Sequence, residues 1–324
     1  MTTPIRWGIL ATGWIATQFT EDLKLLPDAV VAAVGSRSTE AAQRFAAQHA
    51  IPRAHGSWQG LAEDPDVDVV YVATPHPAHY EATLLCLNAG KPVLCEKPFT
   101  LDRASSQELV DAARQSGLFL MEAMWMRANP AIRRIGELIA DGAIGEVVSV
   151  DASFGVAGPF EPTHRMRAKE LGGGALLDLG IYPVTFAHLW LGAPAEIRAW
   201  ASLWPEGTDA NTGMVFGYDS GAVATLHCGA VGVSGMRGSI VGSTGRIEVP
   251  GPFFRPNGFL LVRGEQVEEF DVPFRGNGMS HEAEEVMRCL RAGLLDSPLI
   301  PQAETVEIMG VLDAVRAQIG VTYD

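Results

Sequence analysis

A chain of 324 residues is long for a single domain and suits two. Its composition, 47% hydrophobic and 19% charged, can build sizeable cores, and a formal charge of −14 argues against a nucleic-acid partner, which needs a basic face. The cysteines Cys86, Cys95, Cys228 and Cys289 are scattered without CxxC spacing, and no apolar run of about 18 residues or leader pattern occurs, so buried thiols in a cytoplasmic protein are expected.

The first 125 residues alternate apolar runs with amphipathic stretches. Ile5–Leu10, Ala29–Val34, Val67–Ala73, Pro92–Cys95 and Leu118–Ala123 read as strands, apolar on both faces as buried parallel strands are. Between them Gly13–Leu26, Thr39–His49, Pro77–Ala89 and Asp102–Gln115 read as helices. Ser38 and Thr100 stand where N-caps belong, and Gly90 and Gly117 where helices stop. This alternation predicts an α/β domain over residues 1–125, a doubly wound parallel Rossmann sheet with right-handed crossovers.

Beyond a bridging helix at Asn129–Asp141 the rhythm changes. Glu146–Val156, Ala195–Leu203, Thr212–Tyr218, Ala222–Ala230, Gly238–Val241, Arg246–Val249, Phe259–Val262 and Val267–Val272 read as strands joined by hairpin signals such as Asp219-Ser220-Gly221. Helices are expected at Gly174–Leu191, Ser280–Ala292 and Gln302–Gly320. Residues 126–324 therefore predict an α+β domain with a large open antiparallel sheet, its last helices packing back near the first domain. The sheet's partly apolar alternation over Thr212–Ala230 predicts a homodimer through that sheet.

Gly8-Ile9-Leu10-Ala11-Thr12-Gly13-Trp14-Ile15-Ala16 leaves the first strand and opens the first helix. A dinucleotide loop needs a tight turn, a close backbone approach and a small packing residue; Gly13 and Ala16 supply the last two. Ala11 stands where the first glycine of the fingerprint usually sits. The second strand ends in Gly35-Ser36-Arg37-Ser38 with no carboxylate for a ribose 2′-hydroxyl, whereas Ser36, Arg37 and Ser38 can hold a 2′-phosphate. NADP is expected, with NAD possible. Thr74-Pro75-His76-Pro77-Ala78-His79 follows the third strand; no third ligand lies near His76 and His79 in sequence, so no metal is expected.

Cys95-Glu96-Lys97-Pro98 and Gly172-Gly173-Gly174-Ala175-Leu176-Leu177-Asp178-Leu179-Gly180-Ile181-Tyr182 are the two further segments that decide the reading. Lys97 reads either as an ion-pair partner of Glu96 or as a proton-transfer group. Asp178 and Tyr182, four apart, share one helix face; Tyr182 reads as a hydrogen-bond donor to substrate or as a buried packing aromatic. With the nucleotide loop, these segments resemble the glucose–fructose oxidoreductase and inositol dehydrogenase (Gfo/Idh/MocA) family in order and spacing along the whole chain. Met121–Arg127 and the Gly-Ile-Tyr ending look most like its dihydrodiol dehydrogenase and NADP-dependent D-xylose 1-dehydrogenase branch.

The resemblance implies an oxidoreductase moving hydride between a nicotinamide and a carbinol carbon of a sugar or cyclic trans-diol. It implies Tyr182 as acid/base, where many members have His, with Lys97 as electrostatic partner and Asp178 orienting substrate or lysine. In that branch Trp125 and Phe154 would wall the substrate pocket, and Glu96 and the Thr74-Pro75-His76-Pro77-Ala78-His79 loop would contact cofactor; by position, Arg165 or Arg167 could reach substrate and Arg127 cofactor. Two other readings stay open: a glycosidase-like enzyme that holds NAD tightly, and a non-catalytic NAD(P)-sensing regulator.

Overall fold

The computed structural model describes residues 3–323. By packing they form two units: residues 3–100, 104–128 and 275–306, and residues 101–103, 129–274 and 307–323.

The first unit opens with β1 (Ile5–Leu10), α1 (Trp14–Leu23), β2 (Ala29–Gly35), α2 (Thr39–His49), β3 (Arg53–His55), α3 (Trp58–Ala62), β4 (Val69–Val72), α4 (His79–Asn88), β5 (Val93–Glu96), α5 (Arg103–Ser116), β6 (Leu120–Ala123) and the short α6 (Trp125–Ala128). Its sheet is parallel throughout, in the order β3-β2-β1-β4-β5-β6. All of β4, β5 and β6 is buried, which explains their unbroken apolar character. β3 and α3 were not anticipated, since Arg-Ala-His is too short and polar to register as a strand. The Ser38 hydroxyl caps α2 by accepting the Ala41 N–H at 3.2 Å, as expected. α5 begins at Arg103, three residues past Thr100, whose hydroxyl meets that of Ser106 at 2.5 Å.

The second unit holds α7 (Pro130–Ala140), whose first N–H groups are capped by the Asn129 side chain, and then β7 (Val147–Gly155). A π-helical turn (Leu176–Gly180) leads into α8 (Ile181–Leu191). There follow β8 (Glu196–Leu203), β9 (Asp209–Gly217), β10 (Val223–Gly229), β11 (Gly238–Gly242), β12 (Arg246–Val249), β13 (Gly258–Arg263) and β14 (Gln266–Asp271). The sheet order is β14-β13-β12-β11-β7-β10-β9-β8. Its pairs are antiparallel except β7 with β10, which run parallel with Phe154 opposite Cys228. The wholly antiparallel expectation is corrected at this pair, because the long connection through α8 gives the chain room to cross over.

Residues 181–188 of α8 are all buried, and the helix packs on β7, β10 and β11. Lys169–Leu191 reaches a mean hydropathy of 1.2, but 83% of that window is buried inside the protein, so it is a core helix. The cysteines are free and buried.

The chain closes with α9 (Ser280–Arg291) and α10 (Gln302–Ile319). Asp22 of α1 fixes the start of α9, accepting the N–H groups of Asn277 (2.7 Å), Met279 (2.8 Å) and Ser280 (3.0 Å). One turn into the helix lies Glu282, 0% exposed, with neither carboxylate oxygen bonded among the described residues. Burial drives its carboxyl well above the ordinary range, and the negative charges of Glu96, Asp22 and Glu122 add to the effect. Burial likewise lifts Glu122 to about 7. A carboxyl held protonated by the fold opposes unfolding in acid, and this contribution is lost as pH rises from the unfolded value toward the folded one. Glu282→Gln is expected to raise the melting temperature, with a larger gain at about pH 9 than at about pH 5 in scanning calorimetry.

Candidate functional site

The loop from β1 to α1 has the backbone of a nucleotide turn with an unusual residue in it. Ala11 adopts φ +105°, a conformation that glycine takes far more readily, while its N–H bonds the Gly35 carbonyl at 2.9 Å. Gly13 is the N-cap of α1; among the described residues no side chain caps the helix start, and its first turn holds no acidic residue. A Cβ on Gly13 would meet nothing within 4 Å. The first-turn N–H groups and the helix dipole are therefore suited to a pyrophosphate. Thr12 and Ile15 flank this opening half-buried, and Trp14 is 75% exposed. Gly8 has another role from that expected: it lies in the core, where a Cβ would press on Val67 and Leu61.

Past β2, Arg37 is exposed and its guanidinium carbon stands 5.6 Å from the centroid of the Trp58 ring. The Ser36 oxygen accepts the Ser38 N–H at 3.3 Å and keeps its own proton to donate. Ser38 does not: its hydroxyl donates to Glu40 at 2.9 Å while accepting the Ala41 N–H. Ser36 and Arg37 remain as the donors suited to a phosphate.

At the carboxyl end of β4, the Thr74 hydroxyl is buried without a partner among the described residues. An orphaned hydroxyl there fits a ligand that would satisfy it. Pro75 is exposed and His76 half-buried in the turn that follows. His79 turns inward and is 0% exposed, with its ring nitrogens 2.8 Å from the carbonyls of Pro98 and Thr74. Burial lowers its pKa, and the positive charge of Lys97 also opposes protonation. A neutral ring donates to one of these carbonyls and packs against the other, so His79 bridges the Thr74 loop and the Lys97-Pro98 turn and has no surface to offer a cofactor. Glu96 accepts the Tyr71 hydroxyl at 2.5 Å and the Lys97 backbone N–H at 3.1 Å; Lys97 itself is half-buried. Trp125 is 8% exposed. Arg127 is likewise turned away from the expected cofactor role, donating to the Leu299 carbonyl at 3.0 Å and pairing with Glu304 at 2.6 Å.

In the second unit, Asp178 lies on the π turn and Tyr182 one turn later, each 5% exposed. Arg165 reaches Asp178 at 3.0 Å, so this expected substrate residue stands on the carboxylate. The Tyr182 ring packs against Phe154 (centroids 5.6 Å apart) and Phe254 (4.9 Å), which stack on each other at 4.4 Å and 11°. Phe254 escaped the sequence analysis because it lies in an irregular loop; its signal was an aromatic pair in Gly251-Pro252-Phe253-Phe254-Arg255-Pro256. Phe253 anchors that loop, fully buried against Phe186 at 5.2 Å. Arg167 is structural: it pairs with Glu206 at 2.8 Å and lies 4.4 Å over the Trp204 ring.

Residues 5–124 match the family described as "Oxidoreductase family, NAD-binding Rossmann fold", and residues 132–248 match the GFO/IDH/MocA C-terminal domain. The chain belongs to the GFO/IDH/MocA family of NAD(P)-binding oxidoreductases. It is 40% identical to a trans-1,2-dihydrobenzene-1,2-diol dehydrogenase from Danio rerio, over 98% of each chain. To the enzyme of that name from Xenopus tropicalis it is 38% identical, over 98% of this chain and 99% of the other. A 3-ketoreductase from Actinomadura kijaniata, solved with NADP and TDP-benzene, superposes with a TM-score of 0.87 at 30% identity over 98% of both chains. That ketoreductase has also been solved with one lysine replaced by alanine or glutamate and one tyrosine by phenylalanine.

Replacing His79 with Ala removes the pin between two loops and leaves a cavity. The expected loss of unfolding free energy is about 2–4 kcal/mol, with weaker coenzyme binding, measured by denaturant titration and fluorescence.

Proposed function

We propose that this chain is an NADP-dependent dehydrogenase acting on a carbinol carbon of a cyclic trans-diol or sugar. The observation that carries the reading is Tyr182, one helical turn from an Arg165-paired Asp178 and packed against Phe154 and Phe254. A hydroxyl beside aromatic faces suits a ring substrate, apolar on its faces and polar at its edge. The names of the relatives, diol dehydrogenase and ketoreductase, support the same substrate class.

When bound, the nicotinamide accepts or supplies hydride at C4. Tyr182 takes the hydroxyl proton of the alcohol on oxidation and returns it to the carbonyl oxygen on reduction. The role that the family resemblance gives Lys97 is that of a cation favouring the phenolate this exchange needs. Asp178, held by Arg165, accepts a neighbouring substrate hydroxyl and so selects which carbon is presented. The 2′-phosphate falls to Ser36 and Arg37, with Trp58 supporting the guanidinium, and the β2 end carries no carboxylate to favour NAD instead.

A homodimer completes the proposal. Trp200, Val215 and Val223 stand 73%, 48% and 42% exposed on the outer face of β8, β9 and β10, an apolar patch that a second copy would cover. Free buried thiols support a cytoplasmic setting.

NADP⁺ should be reduced with one or more of a panel of cyclic trans-diols, inositols and aldoses, and NAD⁺ less well. Lys97→Met and Tyr182→Phe should each lower kcat by about 100-fold or more, and Arg37→Ala should raise KM for NADP⁺ about 10- to 100-fold without changing that for NAD⁺. Full activity of Tyr182→Phe would overturn the assignment of the proton. Trp200→Glu should shift the sedimenting species from dimer to monomer; a variant that sediments like the parent removes this face as the interface.

A further inference from the structure

The glycine run before Asp178 is held by residues far from it in sequence. Asp209, the first residue of β9, is 0% exposed. Its Oδ2 accepts the Leu176 N–H at 2.8 Å and the Thr212 hydroxyl at 2.7 Å. The π turn has no side-chain cap from its own N-cap residue, Ala175, so this carboxylate caps it from another strand. Asp209 Oδ1 lies against Gly174, where φ is +118° and a Cβ would collide with that oxygen. One residue earlier, the Gly173 carbonyl accepts the Tyr323 hydroxyl at 2.5 Å, and the Tyr323 ring lies 5.1 Å from the Arg316 guanidinium. The N–H groups of Gly173 and Gly174 also bond the carbonyls of Ala168 and Met166 at 3.0 Å, tying in the loop that carries Arg165.

We propose that Asp209, with Tyr323 opposite, is a positioning residue for the Asp178–Tyr182 pair, acting through the first turn of the helix that carries both. The inference rests on the catalytic reading of that helix given above. A displaced Leu176 N–H moves Asp178 two residues on and Tyr182 six residues on, and small errors at reacting atoms are costly in rate. A negative charge at a helix N-terminus is also favourable, which helps to keep a buried carboxylate ionised. Burial raises the Asp209 carboxyl to about 6, against the opposing bonds from Thr212 and Leu176. The titratable groups facing it are the Cys228 thiol of β10 and the Tyr323 phenol, with Arg316 of α10 beyond the phenol. Below about pH 6 the carboxyl gains a proton and its hold on Leu176 weakens.

The test compares Asp209→Asn, Thr212→Val and Thr212→Ser with Tyr182→Phe, in the full chain with NADP⁺ and the panel alcohol that turns over. Asp209→Asn preserves shape and removes the charge. It is expected to lower kcat about tenfold, change KM for NADP⁺ less than about twofold, and abolish an acid limb of kcat near pH 6. Thr212→Val should move that limb to higher pH, and Thr212→Ser should restore it. Parental kcat and an unmoved limb in Asp209→Asn, beside an inactive Tyr182→Phe, would overturn the anchor alone. Full activity in Tyr182→Phe would instead overturn the catalytic reading and the anchor with it. Should Asp209→Asn fail to fold, an unmoved limb in Thr212→Val overturns the anchor.

Discussion

A sheet of wholly parallel strands is the constraint on which the coenzyme domain depends. Such a sheet must be covered on both faces, and its strands all end along one edge. Ala11–Gly13, Ser36, Thr74, Lys97 and Trp125 follow β1, β2, β4, β5 and β6 along that edge. Residues spread over more than a hundred positions are brought to one edge of the sheet by topology alone. The order reverses direction between β1 and β4, which is where an open sheet of this kind leaves a crevice for a dinucleotide.

Several local rules are broken close to this edge. Ala11 holds a glycine-like conformation, and among the described residues Thr74 has no partner for its hydroxyl and Glu282, near Glu96 and Glu122, none for its carboxylate. Each costs stability, by backbone strain in the first case and by desolvation in the others. Strain and unsatisfied polarity concentrate where a protein handles ligands, and here they frame the nucleotide loop and the Lys97 turn.

The second unit solves a different problem. Its catalytic candidates stand at the start of a helix that has no solvent face, so their polar atoms must be met by specific partners. Arg165 meets Asp178, while Phe154 and Phe254 wall the Tyr182 ring. Precision then comes from the strand below the helix and the C-terminal tyrosine rather than from the loop itself.

Local sequence determined the elements and the fold class. Apolar runs without alternation meant buried parallel strands, and hairpin signals meant an antiparallel sheet, because each pattern follows from which faces a strand buries. The Gly13 opening, the bare end of β2 and the four-residue spacing of Asp178 and Tyr182 were equally legible, since they depend on neighbours along the chain. Tertiary structure decided what depends on distant partners. It turned His79 inward between two carbonyls, joined Arg127 to Glu304, diverted Ser38 to Glu40 and made β10 a parallel neighbour of β7. It also brought Phe254 to Tyr182 and Asp209 to Leu176. Periodicity reports how a residue is buried; which group it meets is set by the packing of elements remote in sequence.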